Sequence, residues 1–196
     1  MKKTGIFLLV LMLLLSVACN KGETAEQATI NALNALKTLD KDTLSKYMDY
    51  NELVETNENG NDQESEEYVK KIFENLEYKI VSSEEKENEA VVKVDITNID
   101  MEKVMGETMK NALAQAFSQA FSSIGEQQSE EENEEMLNEQ FNQAIENNKD
   151  SKVINTVDIK LSKVDSQWKI SMDSELQNAL MGNLLRIANQ LKEVFE

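Results

Sequence analysis

The chain has no histidine and no proline, one cysteine, one tryptophan and six glycines in 196 residues. Each shortage closes off a class of chemistry. Without imidazole there is no Ser-His-Asp triad, no histidine-ligated zinc or haem, and no side chain whose ordinary pKa lies near neutrality. With Cys19 alone, no disulfide can form within the chain. Long apolar runs are scarce too: the first, residues 6–15, rises only about 15 Å as a helix, half of a ~30 Å hydrocarbon core. Positive charge is outnumbered, with 20 Lys and Arg against 37 Asp and Glu, for a formal charge of −17. No basic stripe is offered to phosphates, so nucleic acid is not an expected partner. The missing proline, alongside abundant Asn, Glu, Lys and Ile, reads as genomic composition bias.

What is present begins with MKKTGIFLLVLMLLLSVAC. Lys2 and Lys3 form a basic start, the apolar run follows, and Ser16-Val17-Ala18 places small residues before a cut, so residues 1–18 are an expected cleaved signal peptide. Leu15-Ser16-Val17-Ala18-Cys19 resembles the lipobox of bacterial lipoproteins, with Ser16 where that pattern usually has Leu. The resemblance implies cleavage after Ala18 and a diacylglyceryl group on the Cys19 thiol. One acyl chain binds a membrane marginally, whereas two hold stably. Ser16-Val17-Ala18 also suits ordinary signal peptidase, which would release a freely secreted protein. The placement of the sole cysteine directly after Ala18 favours the anchor. Residues 19–23 then form the lipidated cysteine and a tether of at most about 14 Å, and residues 24–196 a single α+β domain, large enough to be stable without disulfides. Its acidity repels an anionic surface, but over a Debye length of roughly 8 Å most of that is screened. The expected location is the extracytoplasmic face of the cell membrane.

Along the domain, residues 24–39 open with a Thr24-x-x-Gln27 capping box and carry Ala25, Ala28, Ala32, Ala35 and Leu39 at helical spacing. Asp42 is the expected cap of a shorter helix through about Tyr50, with Leu44, Tyr47 and Met48 on one side. Residues 56–67 are polar and read as a loop. Set with Gly60 at the sixth position, residues 55–66 weakly resemble a calcium-binding EF-hand loop, with Asn57, Asn59 and Glu66 in register but Glu55 at the first position and Asp62 at the eighth; a solvated acidic loop is the plainer reading. Helix resumes over 66–75.

The period then changes to two. Leu76, Tyr78 and Ile80 alternate with polar residues, as do Val92, Val94 and Ile96, giving a hairpin with 82–89 as its turn. Residues 101–148 are a helical insertion. Met105, Met109, Ala112, Ala116, Ala120 and Ile124, flanked by Leu113, Phe117 and Phe121, form a wide apolar stripe, for which core packing is the commoner use and a partner groove the alternative. Gly125 stops this helix, and Ser129-x-x-Glu132 starts another whose Leu137, Phe141, Ala144 and Ile145 share a side. The glutamates from 130 to 135 read as a solvated face beside that helix's positive end. A second hairpin alternates Val153, Asn155, Val157, Ile159 and Leu161, turns at Asp165-Ser166, and returns with Trp168, Ile170 and Met172. Ser174-x-x-Gln177 is the expected cap of a last helix carrying Leu176, Leu180, Leu184, Ile187, Leu191 and Phe195, docked on the domain. The expected fold is thus α+β: a curved antiparallel sheet of two hairpins packed with N-terminal helices, a long helical insertion and a C-terminal helix.

That order of elements resembles the nuclear-transport-factor-2-like, cystatin-like superfold. Asn75-Leu76-Glu77-Tyr78-Lys79-Ile80, Asn98-Ile99-Asp100 and Lys163-Val164-Asp165-Ser166-Gln167-Trp168-Lys169-Ile170 are similar to stretches of uncharacterised lipoprotein-anchored members from Gram-positive bacteria. The resemblance implies a cone with a pocket at its open end, which the insertion or the C-terminal helix could plug. If open, its expected lining is Tyr47, Tyr78, Trp168 and Met172, although large apolar side chains more often serve as core.

No catalytic constellation, cofactor or metal site is expected, and the protein reads as no enzyme. The expected function is a membrane-anchored binding or interaction module for a protein or small molecule. Two alternatives stay open: an enzyme built on a carboxylate pair, for which Asp95 and Asp158 fall on the wet side of their strands, and a self-associating envelope scaffold.

Overall fold

The computed structural model describes residues 22–53, 62–122, 129–187 and 190. Ala18, Cys19, most of the EF-hand-like stretch, Ile124, Gly125, Leu191 and Phe195 lie outside them. The chain is α+β, with a curved four-stranded antiparallel sheet of order β1-β2-β3-β4.

Helix α1 (Ala25–Thr38) starts where Thr24 Oγ1 accepts the Gln27 N–H at 3.1 Å. The return half of the expected box is not made, because the Gln27 side chain donates to Asn31 instead. Ala25, Ala28, Ala32, Leu33, Ala35 and Leu36 are buried, and the small residues let the helix lie close to the sheet. Leu39, in left-handed conformation, ends it. Asp40 then caps α2 (Lys41–Leu44) by accepting the Thr43 N–H. This corrects the expected Asp42 cap: the reversal at Leu39 makes Asp40 the first carboxylate able to reach a free amide. In place of one helix to Tyr50 there are two short ones, α2 and α3 (Tyr50–Leu53), although Leu44, Tyr47 and Met48 are buried together as expected.

Helix α4 (Asp62–Glu74) begins four residues earlier than its apolar spacing suggested, so residues 62–67 are helix and not loop. The last five positions of the EF-hand-like stretch, Asp62 to Glu66, are therefore helical.

Strands β1 (Glu77–Lys86) and β2 (Glu89–Ile99) form a longer hairpin than expected. Residues 82–86 pair with 89–93 beyond a register shift at Val81, and the turn shrinks to Glu87 and Asn88. The far half of β1 is an edge exposed on both faces, so no alternation marked it. Strand β2 pairs along its whole length with β3 (Lys152–Val164), which turns back into β4 (Gln167–Ile170). Asp165 and Ser166, at φ 50° and 66°, make a two-residue turn with both residues left-handed. Val92, Val94, Ile96, Val157, Ile159, Leu161, Trp168 and Ile170 line the inner face under α1 and the last helix. The outer face carries Lys93–Asp158 at 2.7 Å and Thr156–Asp95 at 2.7 Å.

The last helix, α7 (Ser174–Leu180), is capped by Asp173, one residue before the expected Ser174; its Oδ1 accepts the Leu176 N–H at 3.0 Å. It also stops early. Gly182 and Asn183 have φ 57° and 71°, and a short helical turn over 184–187 follows. A Cβ on Gly182 would lie 2.1 Å from the Ile99 carbonyl oxygen, so only glycine lets this turn pack on the end of β2. Docking within the chain holds over the described part: Leu176, Ala179, Leu180 and Met181 are buried.

Between β2 and β3 stand α5 (Met101–Ser122) and α6 (Glu130–Asn148). Ser129 and Glu132 make the full reciprocal capping box expected of them. Met101 and Val104 enter the core, and the Met101 N–H donates to the Gly182 carbonyl at 3.0 Å. Further along, the expectation of core packing is overturned. Met109, Leu113 and Phe117 are 42%, 58% and 65% exposed. Polar side chains join α5 to α6: Gln140 Nε2 donates to Gln115 Oε1, and Asn147 and Asn148 both donate to the Glu107 carboxylate. On α6, Ala144 and Ile145 are buried, Phe141 is half-buried against Tyr68, and Leu137 is exposed.

Candidate functional site

The four candidate lining residues do not meet in one cavity among the described grooves. Trp168 is 1% exposed, its ring under the Lys163 ammonium at 4.3 Å, and its Nε1 donates to the Glu23 carbonyl at 3.0 Å. Tyr47 is buried as well; its hydroxyl donates to Glu23 Oε1 at 2.8 Å and accepts from Asn31 Nδ2 at 3.2 Å. Tyr78 is half-buried and donates to Asn34 Oδ1 at 2.9 Å, one turn further along α1. Met172 is half-buried against the core. The structure thus joins Tyr47 and Trp168 through Glu23 and sets Tyr78 and Met172 elsewhere.

Glu23 is the residue on which this region converges. Its carboxylate also accepts from Asn31 Nδ2 at 2.6 Å, and two residues later the Ala25 N–H donates to Glu85 on β1. The chain is therefore fastened to α1, the segment after α2, β1 and β4 within three residues of entering the fold. Burial pushes the Tyr47 hydroxyl above the ordinary tyrosine value, and its bond to Glu23 adds to the rise. A phenolate next to a carboxylate is disfavoured, so Tyr47 stays a donor.

Two open grooves flank this fastening. One, of about 760 Å³, is bounded by Gly22, Glu23, Glu85, Glu87, Lys163 and Ser166. Lys163 is its cation, 3.6 Å from Glu85 and donating to the Glu87 carbonyl at 3.1 Å. The other, of about 350 Å³, has Asn31, Asn34, Thr38, Asp40, Thr43 and Tyr47 around it. Polar side chains ring both, but the surface is about as apolar as polar in the first and more apolar than polar in the second. Neither brings two carboxylates together in a buried place. Asp95 and Asp158 sit on the outer face with Thr156 and Lys93 as partners, and the Lys93 ammonium is held above its ordinary value chiefly by the hydrogen bond to Asp158. No cluster of three or more metal-ligating side chains occurs among the described residues.

Glu23, Asn31 and Lys163 were not legible as site residues. Glu23 looks like tether, and only the fold brings Trp168, 145 positions away, against it. The comparisons add little. No family model and no curated protein matches the chain. Among solved structures it is similar to YcdA from Bacillus subtilis subsp. subtilis strain 168, a protein itself assigned only provisionally as a lipoprotein. Identity is 16% and the TM-score 0.39, over 93% of this chain and 53% of that one. The chain thus spans about half the length of that protein, and a likeness at this level carries no argument. No helix among the described residues is long and apolar enough to cross a membrane.

Proposed function

We propose that the chain is an extracytoplasmic lipoprotein, held at the cell membrane through Cys19 and serving as a non-catalytic binding module. The observation that carries the proposal is the fastening of Glu23 by Trp168, Tyr47 and Asn31. It leaves only Asn20, Lys21 and Gly22 between the anchor cysteine and the fold, a reach of about 14 Å from Cys19 to Glu23. So short a leash puts the end of the sheet near Glu23 against the bilayer. That end carries both hairpin turns, Glu87-Asn88 and Asp165-Ser166. Its glutamates keep it from adhering to anionic lipid. Strand β2 runs away from it for eleven residues, so α5 and α6 rise from the far end, where a partner outside the membrane can reach them.

The order of elements is compatible with a transport-factor-like cone, and the burial of Trp168 and Leu176 favours a cone filled by side chains over an open one. The test is the mass of the N-terminal peptide from the native membrane fraction. A Cys19 peptide carrying diacylglycerol is the expected result; an unmodified Cys19, or a chain still starting at Met1, would overturn the anchor.

A further inference from the structure

Helix α5 is fixed to the fold by its first two turns. Met101 and Val104 are in the core, Thr108 is buried, the Met101 N–H donates to the Gly182 carbonyl at 3.0 Å, and Arg186 donates to the Glu102 carboxylate at 2.8 Å. From Met109 to Gln119 no residue is buried. Its neighbour α6 is fastened to the domain independently: Ala144 and Ile145 are buried, Phe141 meets Tyr68 edge to face, and Lys71 Nζ donates to Asn142 Oδ1 at 2.6 Å.

The helix is weakened where its burial ends. Gly106 lies inside it with neither of the usual reasons for glycine, since a Cβ there would meet nothing within 4 Å and its φ is not left-handed. A glycine in mid-helix loosens its turn through backbone entropy. Two residues on, Thr108 Oγ1 donates to the Val104 carbonyl at 2.9 Å, a back-bond that competes with the helical one and favours bending. Between them Glu107 accepts from Asn147 at 2.7 Å and from Asn148 at 2.6 Å, so the two helices stay joined at this level. Two weak points and one fastening thus share a single turn.

Beyond that turn the contact with α6 is poorly satisfied. Gln140 Nε2 donates to Gln115 Oε1 at 2.7 Å, but Gln140 Oε1 is buried with no partner. Parting the helices exchanges the first bond for one to water and lets water reach the idle carbonyl, so loss and gain nearly cancel. We infer that the turn from Val104 to Thr108 is a hinge, on which the outer part of α5, from Met109, swings off α6 and returns to it as an intact helix. The far end of the molecule then has two forms, one with Gln140 covered and one with it open to water. The hinge goes beyond the anchor reading and does not depend on it.

Thiol trapping and amide exchange on the full-length chain test it. Gln140→Cys, read by the mass of its own peptide so that Cys19 does not enter, is expected to react within about tenfold of Glu139→Cys, its exposed neighbour. Ala144→Cys, with no exposure on the fixed part of α6, should react at least about a hundredfold more slowly. Adding Gly106→Ala should slow Gln140→Cys about fivefold, the gain in helix propensity expressed as an opening equilibrium. In the parent chain, amides 108–112, whose helical acceptors are residues 104–108, should exchange at least about tenfold faster than amides 113–117. Gln140→Cys as protected as Ala144→Cys, or a rate indifferent to Gly106→Ala, would overturn the inference. So would amides 113–117 exchanging as fast as 108–112, because α5 would then melt and not swing.

Discussion

The sheet domain and the α5–α6 hairpin are built by opposite rules. In the domain, α1, α7 and the inner faces of β2 and β3 turn their apolar sides inward, and polar residues such as Lys93 and Asp158 pair outside. In the hairpin, Met101, Val104, Ala144 and Ile145 still bury against the core, but the side-chain bonds that join the two helices, Gln140 to Gln115 and Asn147 and Asn148 to Glu107, are polar and half-buried or exposed, while Met109, Leu113 and Phe117 face out. Gln140 Oε1 is buried with no partner, a cost an apolar seam would not carry. An amphipathic stripe therefore specifies a contact without saying whether that contact lies inside the chain.

The strongest way to break this contrast is to delete one phenyl ring in each region. Phe73→Ala, at a site with no exposure, is expected to cost about 3–5 kcal/mol in urea unfolding, and Phe117→Ala less than about 0.5 kcal/mol. Equal losses would mean that the stripe is packed within the monomer. Gly182→Ala tests the junction between the two regions. Its Cβ would collide with the Ile99 carbonyl, and a loss of about 3 kcal/mol or failure to fold is expected. Asn98→Ala probes the same junction more gently. Its amide donates to the Leu180 carbonyl at 2.7 Å and its oxygen accepts the Ile99 N–H, so about 1–3 kcal/mol should go with it.

A smaller effect sharpens the domain side. The Leu176 N–H, and then Lys160, hold the Asp173 carboxyl below its ordinary value. A depressed folded value contributes stability above the ordinary carboxylate value and loses it as pH falls through that value toward the folded one. Asp173→Ala should cost about 1 kcal/mol near neutral pH, and Asp173→Asn, which still caps, should lack the acid-limb share of the loss. Urea midpoints across that range check both. Smallest of all, Gln115→Leu with Gln140→Leu is expected to be neutral or to stabilise by some tenths of a kcal/mol, since both members of a part-buried polar pair are removed together.

Much of the domain was legible in the sequence because its elements bury one face. The alternations in Val92-Val94-Ile96 and Val157-Ile159-Leu161 located β2 and β3, and Thr24 and Ser129 announced their helices. What escaped has a physical reason in each case. The end of β1 is exposed on both faces and shows no period. Asp40 and Asp173 won their caps over Asp42 and Ser174 through backbone geometry that spacing does not encode. The break at Gly182 depends on the Ile99 carbonyl, which lies over eighty residues away. Of the candidate lining, Tyr47 and Trp168 share a partner, but that partner, Glu23, had no pattern to mark it.

The knot at Glu23 also fixes how a mechanical load would enter the molecule. If Cys19 carries the proposed lipid, a tug on it arrives at three hydrogen bonds, to Trp168, Tyr47 and Asn31, before it can reach any rung of the sheet. Those bonds lie between side chains and the incoming strand of tether, so they can part and re-form while the ladder from β1 to β4 stays closed. On an anchored chain the first residues of the fold would thus act as a fuse between the membrane and the sheet.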